Sequence, residues 1–255
     1  MLHHFGNYDY LCCVMGKNIN RESVFRFKRF QVKNHNSAMK VGTDGVLLGA
    51  WSNTGNAQSV LDIGCGTGLI SLMIAQRCEA KITGIEIDKL AADECKYNFD
   101  NSPWKERLSL VHADFNSLQN GEQKYDLIIS NPPFFTNGIT APDKSRATAR
   151  HCETLNYDSL IAFATKHLSD TGRLAFIAPA DKHDEIVNTI TMNKLHILRQ
   201  TDVYSKPSKD IAVRTMWEIS PVGQNSIYSS LYIHNDDNTY HNDYISLTKD
   251  FYLNF

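Results

Sequence analysis

Apolar and polar residues alternate between residues 58 and 220 in a pattern of short buried strands separated by amphipathic helices. Short apolar runs predict strands over five segments: Ser59–Ile63, Lys81–Ile87, Leu108–His112, Tyr125–Ser130 and Gly172–Ala178. Apolar residues at helical spacing predict four helices: Leu69–Arg77, Asp88–Asn101, Leu155–Leu168 and Asp184–Met192. Strands separated by helices predict an α/β fold, with a central, mostly parallel sheet covered by helices on both faces.

Two regions of different composition flank this pattern. Residues 1–20 lack the basic start, apolar core and cleavage site of a secretory leader, and we interpret them as a loose N-terminal extension. Residues 21–56 form a basic, aromatic segment. Residues 57–255 hold the core and a polar, aromatic C-terminal tail that begins near residue 221.

Composition narrows the class of protein. A chain of 255 residues with 42% apolar and 21% charged residues is typical of a single α/β domain with appendages. The net charge of −2 excludes a global attraction to nucleic acid or to anionic membranes, so any RNA affinity must come from local patches. No apolar run approaches the roughly 20 residues of a membrane span, so we expect no membrane binding. We also expect the protein to be a monomer.

Cysteine usage indicates a reducing compartment. The six cysteines form no Cys-x-x-Cys pair and no Cys/His cluster with zinc spacing: Cys12, Cys13, Cys65, Cys78, Cys95 and Cys152. We therefore expect reduced thiols in a cytoplasmic protein that holds no metal.

A glycine-rich turn is the first candidate for a binding site. Gly64, Gly66 and Gly68 follow a predicted strand and precede a predicted helix, which is the context that a nucleotide-binding turn needs. A dinucleotide-binding turn would carry glycine at position 69, where this chain has Leu69. The spacing favours S-adenosyl-L-methionine, which has no pyrophosphate, and it places Asp62 to accept a hydrogen bond from the methionine amino group, directly or through water. Cys65, inside the turn, is interpreted as a small packing residue.

Two further carboxylates follow the next predicted strands. Glu86 ends the second strand, where it is expected to accept hydrogen bonds from both ribose hydroxyls. Asp114 ends the third strand, where it is expected to accept a hydrogen bond from the adenine amino group of the cofactor. The alternative interpretation makes Glu86, Asp88 and Asp114 ordinary loop or helix-capping residues.

The segment Asn131-Pro132-Pro133-Phe134 ends the strand Tyr125–Ser130 and suggests a site for a planar amine. The Asn131 side-chain oxygen and the Pro132 carbonyl can accept the two hydrogens of an exocyclic amine, which frees the nitrogen lone pair for attack on a sulfonium methyl group. Phe134 can stack on a flipped base. The alternative is an ordinary turn, because Asn-Pro often starts one.

The core resembles the amino-methyltransferases of the class I Rossmann-like group over nearly the whole chain. Three segments match the bacterial tRNA(Val) adenine-N6 methyltransferase family: Met39–Trp51, Arg146–His151 and Leu247–Phe255. The resemblance implies a seven-stranded sheet, an upstream segment that caps the cofactor site, and cofactor contacts from Thr43, Asp44 and Asn131. It also implies methylation of the adenosine just 3′ of the anticodon of a valine tRNA. Residues 1–20 match nothing in the family.

Basic residues near the N-terminus are candidates for RNA contact. Arg26, Lys28 and Arg29 are interleaved with phenylalanines, a composition that can bind phosphates and stack bases. The alternative is a half-exposed strand whose aromatic side chains pack inward. A second candidate cluster follows the Asn-Pro-Pro-Phe segment and consists of Arg146, Arg150 and His151, with a solvated helix start as the alternative. The segment Lys206–Lys209 is predicted to be a hairpin tip.

Two other functions remain open at this point. A protein-glutamine N5 methyltransferase would use the same amine chemistry, but it would usually carry a helical N-terminal substrate domain, and the pattern before the glycine turn is not that of a helical bundle. A noncatalytic RNA-binding protein could retain the fold, although the intact set of Asp62, Glu86 and Asn131 argues against it.

Overall fold

The computed structural model of the protein describes residues 23–37, 40–119, 121–133 and 155–255. The strands within these ranges are β1 Val24–Arg26, β2 Gln31–Lys33, β3 Ser59–Ile63, β4 Lys81–Glu86, β5 Leu108–His112, β6 Tyr125–Ser130, β7 Leu168–Pro179, β8 His196–Tyr204, β9 Arg214–Ser220 and β10 Ile227–Tyr232. The α-helices are α1 Thr43–Trp51, α2 Leu69–Arg77, α3 Lys89–Asp100, α4 Tyr157–His167, α5 His183–Met192 and α6 Asn242–Thr248. Every strand and helix that the apolar pattern predicted is present, with ends that differ by a few residues.

Eight of the strands form one mixed sheet in the order β10-β8-β9-β7-β6-β3-β4-β5. Strands β7, β6, β3, β4 and β5 run parallel to one another, whereas β9 runs antiparallel between β7 and β8. The predicted α/β class with a mostly parallel sheet is therefore confirmed. The turn between β8 and β9 contains Lys206–Lys209, as expected of a hairpin tip.

The sheet has one strand more than the seven expected. The additional strand is β10, which pairs in parallel with β8 at the edge of the sheet. Four of its six residues are exposed, so the strand carries no buried apolar run that would mark it in the sequence. The C-terminal region is thus part of the sheet rather than a simple tail.

Both faces of the sheet are buried, and strand β6 shows how. The side chain of Ile128 packs in one apolar cluster, whereas Leu127 and Ile129 pack in a second cluster on the other face. Helices α4 and α5 contribute to the first cluster, and α1, α2 and α6 contribute to the second. Burial on both faces explains why β6 is a continuous apolar run instead of an alternating one.

The N-terminal hairpin β1–β2 lies outside the main sheet. Its aromatic side chains pack inward, since Phe27 and Phe30 are buried and stack on each other with ring centroids 4.6 Å apart. The Lys28 ammonium donates to the carbonyl oxygens of Lys249 at 2.6 Å and Phe255 at 2.9 Å. The hairpin is therefore attached to the region that follows α6.

Candidate active site

The glycine turn follows β3 at the carboxyl edge of the parallel strands, and its three glycines have different roles. Gly64, Gly66 and Gly68 all have positive φ angles, of 67°, 55° and 82°. A Cβ on Gly68 would lie 2.5 Å from the Phe99 ring, and one on Gly64 would lie 3.1 Å from Leu155. A Cβ on Gly66 would meet no atom within 4 Å in the described structure. Gly66 therefore leaves open space where a ligand can approach the backbone.

Cys65 fills the inner side of the same turn. Its side chain is 7% exposed, and its sulfur lies 3.7 Å from that of Cys95 and would lie 2.8 Å from a Cβ on Gly84. The contact with the Cys95 thiol and the burial both raise the pKa of Cys65. Cys65 is therefore a neutral packing residue, as the sequence suggested, because a reactive cysteine needs a lowered pKa.

Asp62 is fully buried directly below the turn. Its Oδ2 accepts hydrogen bonds from the Ser71 backbone N–H at 3.1 Å and the Ser71 hydroxyl at 2.7 Å. Its Oδ1 is also buried but has no hydrogen-bond partner among the described residues. Burial raises the pKa of Asp62 to about 7, against the opposing effect of the two Ser71 bonds. A buried acceptor without a partner is costly, which makes Oδ1 a candidate contact for a cationic group.

Glu86 lies against the glycine turn from the end of β4. Its Oε2 accepts from the Gly66 N–H at 2.8 Å, and its Oε1 accepts from the Asp88 N–H at 2.8 Å. These contacts place the carboxylate beside Gly66, where the sequence predicted the ribose role. That role stays a prediction.

Asp88 and Asp114 both make capping contacts. Asp88 accepts from the Ala91 N–H at 2.9 Å and caps α3, and Asp114 Oδ1 accepts from the backbone and side-chain nitrogens of Asn116, both at 2.9 Å. The contact of Asp114 with the adenine of a cofactor stays a prediction.

Asn131 follows β6, the strand next to β3, so it lies beside the glycine turn. The preceding residues of the two strands are paired, and the Ser130 hydroxyl donates to the Ile63 carbonyl at 2.8 Å. The Asn131 Oδ1 is buried and has no hydrogen-bond partner in the described part of the chain. Pro132 is buried and Pro133 is half-buried, whereas Phe134 lies outside the described residues. A buried amide oxygen without a described partner is thus held beside the glycine turn, and its contact with a substrate amine stays a prediction.

The upstream segment also reaches this site. Helix α1 begins at Thr43, and a Cβ on Gly45 would lie 4.0 Å from the Asn131 amide nitrogen. Asp44, which lies between Thr43 and Gly45 in the sequence, accepts a hydrogen bond from Arg214 Nε at 2.8 Å. This bond attaches α1 to the start of β9. The structure places Thr43 and Asp44 near Asn131, and their contacts with the cofactor stay predictions. Sequence reasoning missed Arg214, because its partner lies 170 residues away.

Two polar residues of α3 were also missed, and both are buried. Glu94 and Asn98 are 4% and 3% exposed, and they bind the backbone of residues 33–37. Their spacing of four residues on a helix face that also holds Cys95 and Phe99 is a signal that the sequence contains. Polar residues on a buried helix face must find partners.

The predicted RNA contacts are only partly described. Arg26, Lys28 and Arg29 are exposed on or beside the β1–β2 hairpin, and the Arg29 guanidinium lies 5.7 Å from the centre of the Trp104 ring. The Lys28 ammonium donates hydrogen bonds to the carbonyl oxygens of Lys249 and Phe255. The second cluster, Arg146, Arg150 and His151, lies outside the described residues.

Neither a membrane span nor a metal centre is found in the described part of the chain. No described helix is long and apolar enough to cross a membrane. No group of three or more His, Cys, Asp or Glu side chains in these ranges could hold a metal ion.

The strand order, with a glycine turn at the carboxyl edge of the parallel strands, is that of a class I S-adenosylmethionine-dependent methyltransferase. A solved structure from Agrobacterium tumefaciens, described as a predicted O-methyltransferase, superposes with a TM-score of 0.63 at 19% identity, covering 82% of this chain and 96% of that chain. At that identity the similarity shows the fold alone.

Sequence comparisons give the family. The model of the methyltransferase small domain matches residues 37–205. A tRNA1(Val) (adenine(37)-N6)-methyltransferase of Bacteroides fragilis is 40% identical over 91% of this chain and 98% of its own length. A relative of the same name from Aliivibrio fischeri is 42% identical over 90% of this chain and 97% of its own length. The chain belongs to the methyltransferase small domain family and, within it, to the tRNA1(Val) (adenine(37)-N6)-methyltransferase family.

The cofactor of this class is S-adenosyl-L-methionine, and the residues present fit it. The open space at Gly66 admits a ligand close to the backbone, and Asp62 Oδ1, which has no partner in the described ranges, matches an ammonium group. When bound, the cofactor supplies an electrophilic sulfonium methyl group.

Proposed function

We propose that this protein transfers a methyl group from S-adenosyl-L-methionine to N6 of adenosine 37 of a valine tRNA, next to the anticodon. The observation that carries the proposal is the buried Oδ1 of Asn131, which lies beside the glycine turn and has no hydrogen-bond partner among the described residues. Such an oxygen needs an N–H donor, and the exocyclic amine of adenine is one. The names of the relatives supply the choice of tRNA and position.

The reaction follows from the position of Asn131. Its Oδ1 accepts one hydrogen of the adenine amine, and the carbonyl of Pro132 accepts the other. These bonds draw the nitrogen toward a pyramidal geometry and direct its lone pair at the methyl group. Phe134 stacks on the flipped base. As the new nitrogen–carbon bond forms, the carbon–sulfur bond of the sulfonium would break and its electron pair would stay on sulfur, leaving a neutral thioether. The alkylated nitrogen is acidic and would then lose its proton to water, so no strong general base is needed.

The tRNA must be bound by local charge, because the whole chain carries a net charge of −2. Arg26 and Arg29 are exposed and suited to phosphate contacts. Arg146, Arg150 and His151 follow the Asn-Pro-Pro-Phe segment in the sequence and are proposed to hold the anticodon loop. We expect the protein to act as a monomer in the cytoplasm.

The decisive experiment is a methyl-transfer assay on three substrates. A valine tRNA transcript should be methylated, and nucleoside mass spectrometry should find N6-methyladenosine at position 37. A matched transcript with guanosine at position 37 is the control and should remain unmodified. A release-factor protein with an accessible glutamine should also remain unmodified.

Other results would contradict the proposal. Transfer to the protein with none to tRNA would favour the glutamine-modifying activity. Cofactor binding with no transfer to any of the three substrates would favour a noncatalytic RNA-binding role.

A further inference from the structure

One side chain of α3 joins the glycine turn to the N-terminal hairpin. The Asn98 amide nitrogen donates to the Thr67 carbonyl at 2.8 Å and to the Lys33 carbonyl at 3.0 Å. Its oxygen accepts from the Lys33 N–H at 2.8 Å. Thr67 lies between Gly66 and Gly68, and Lys33 is the last residue of β2. A single planar amide therefore bonds to the cofactor turn and to the hairpin at the same time.

Glu94, one helical turn earlier, holds only one of these two regions. Its Oε1 accepts from the Asn36 N–H at 2.7 Å, and its Oε2 accepts from the Ser37 N–H at 3.0 Å. The carboxylate is buried and attaches the segment that follows β2 to α3. In the described part of the chain, both of these Glu94 hydrogen bonds go to the segment after β2, and neither goes to the glycine turn. The pair thus separates two effects, since Glu94 anchors the segment while Asn98 also reaches the turn.

The hairpin and the turn carry the predicted contacts of two different ligands. Arg26 on β1, a predicted phosphate contact, is paired in register with Gln31 on β2, the strand that ends at Lys33. The turn presents the open backbone of Gly66 to the cofactor. The Asn98 amide is 3% exposed and its three bonds are near ideal length. A shift of Lys33 must therefore move Thr67 with it or break a buried hydrogen bond.

We infer that Asn98 is a positioning residue through which cofactor and tRNA bind cooperatively. This inference rests on the proposed function, because it requires tRNA to bind at the hairpin. Each ligand fixes one of the two regions held by Asn98, so the first ligand bound leaves the second region already in place. The coupling is reciprocal, so each ligand raises the affinity for the other by the same factor.

The coupling factor can be measured directly with the unreactive product S-adenosyl-L-homocysteine. Its affinity for the wild-type protein is determined by calorimetry with and without valine tRNA, and the tRNA affinity is determined with and without the product. We expect each ligand to raise the affinity for the other about tenfold. In Asn98→Leu, which removes all three hydrogen bonds at similar volume, the factor should fall close to one.

Two control variants separate coupling from folding. Glu94→Gln loosens residues 36 and 37 but leaves Asn98 intact, so it should lower the melting temperature and retain the tenfold factor. Lys96→Ala removes an exposed ion pair with Asp100 on the same helix and should change neither property. If Asn98→Leu does not fold, Asn98→Asp keeps an acceptor for Lys33, places an oxygen against Thr67, and serves for the same measurement.

The outcomes are distinct. An unchanged coupling factor in a folded Asn98 variant overturns the inference, and so does a wild-type protein that methylates tRNA but binds the two ligands independently. Loss of coupling in Glu94→Gln as well would assign it to general loosening of the hairpin and also overturn the role of Asn98. A wild-type protein that neither binds nor methylates tRNA overturns the proposed function together with the inference.

Discussion

The glycine turn and the loop Asn131–Pro133 follow neighbouring parallel strands, and each region holds one buried oxygen without a described partner. They differ in charge. Asp62 is a carboxylate whose other oxygen is fixed by two bonds from Ser71, whereas Asn131 provides a neutral amide. An ionised acceptor suits the ammonium of the cofactor, and a neutral one suits an uncharged amine that must keep its lone pair available. We therefore propose that the two acceptors divide the site into a binding half, at Asp62, and a reacting half, at Asn131.

The largest effect is expected in the reacting half. Asn131→Ala should lower the single-turnover rate of methyl transfer to tRNA at least about a hundredfold, because the amine loses its orienting contact. The variant should still bind the cofactor, because Asn131 is only one of its predicted contacts, and a calorimetric titration checks this. A variant that keeps the wild-type rate would remove Asn131 from the amine site.

The binding half is tested by Asp62→Asn, which keeps the shape and removes the charge. The folded, cofactor-free carboxyl has a pKa of about 7, so it gains its charge as the pH rises through that value. Wild-type affinity for S-adenosyl-L-homocysteine should therefore rise between pH 6 and pH 8. The variant should show a flat profile and bind about thirtyfold more weakly at pH 8, the effect of losing one charge-assisted hydrogen bond.

A rise of equal size in the variant would show that another group controls the pH dependence. A flat wild-type profile would show that the ammonium does not contact Asp62. Methyl transfer at saturating cofactor should change little in this variant, which is the opposite of the pattern expected for Asn131→Ala.

A smaller effect is expected from Glu86→Gln. The variant keeps one acceptor oxygen and loses the charge, so cofactor affinity should fall about tenfold while the rate at saturating cofactor is retained. Because Glu86 also accepts a hydrogen bond from the Gly66 N–H, the thermal stability of the variant protein must be measured as a control. Unchanged affinity in a folded variant would exclude the ribose role.

The smallest effect is expected from changes in the N-terminal hairpin, which lies outside both halves of the site. Neutralising Arg26 and Arg29 together should weaken tRNA binding and flatten its salt dependence by roughly 0.7–0.9 of a log unit for each phosphate that the variant no longer binds. Cofactor affinity should not change. Lys28→Ala is the contrasting variant, because Lys28 binds two backbone carbonyls and its removal should lower stability more than the salt dependence. Equal salt slopes in all variants would exclude the hairpin as an RNA-binding surface.

The sequence predicted those parts of the site that depend on local chemistry. Three glycines with positive φ, a carboxylate at the end of β3 and an Asn-Pro-Pro segment at the end of β6 can each be recognised from neighbouring residues. Apolar periodicity predicted strands β3 to β7 and helices α2 to α5 in their order, but it did not predict β8, β9, α1 or α6. Strand β10 was missed because its residues are mostly exposed, and an exposed edge strand has little apolar signal.

Long-range partners could not be predicted in the same way. Asp44 is paired with Arg214, and the predicted RNA contact Lys28 is bound to carbonyls near the C-terminal end of the chain. No local pattern distinguishes an exposed lysine that binds phosphate from one that binds a distant carbonyl. The burial of Glu94 and Asn98 was visible only as two polar residues on an apolar helix face, and their partners could not be inferred.

The attachments of the β1–β2 hairpin also set the order in which the protein can be assembled during translation. The hairpin is synthesised before every other described element, yet Lys33 is bound to Asn98, 65 residues later, and Lys28 to the Lys249 carbonyl, 221 residues later. A ribosome adds roughly 5–20 residues each second, so the hairpin waits many seconds for its last partner. Phe30 can pack against Trp104 early, whereas Phe27 stacks on Tyr252, which is made near the end of the chain. The hairpin is therefore the first described element to be made and among the last whose contacts can be completed.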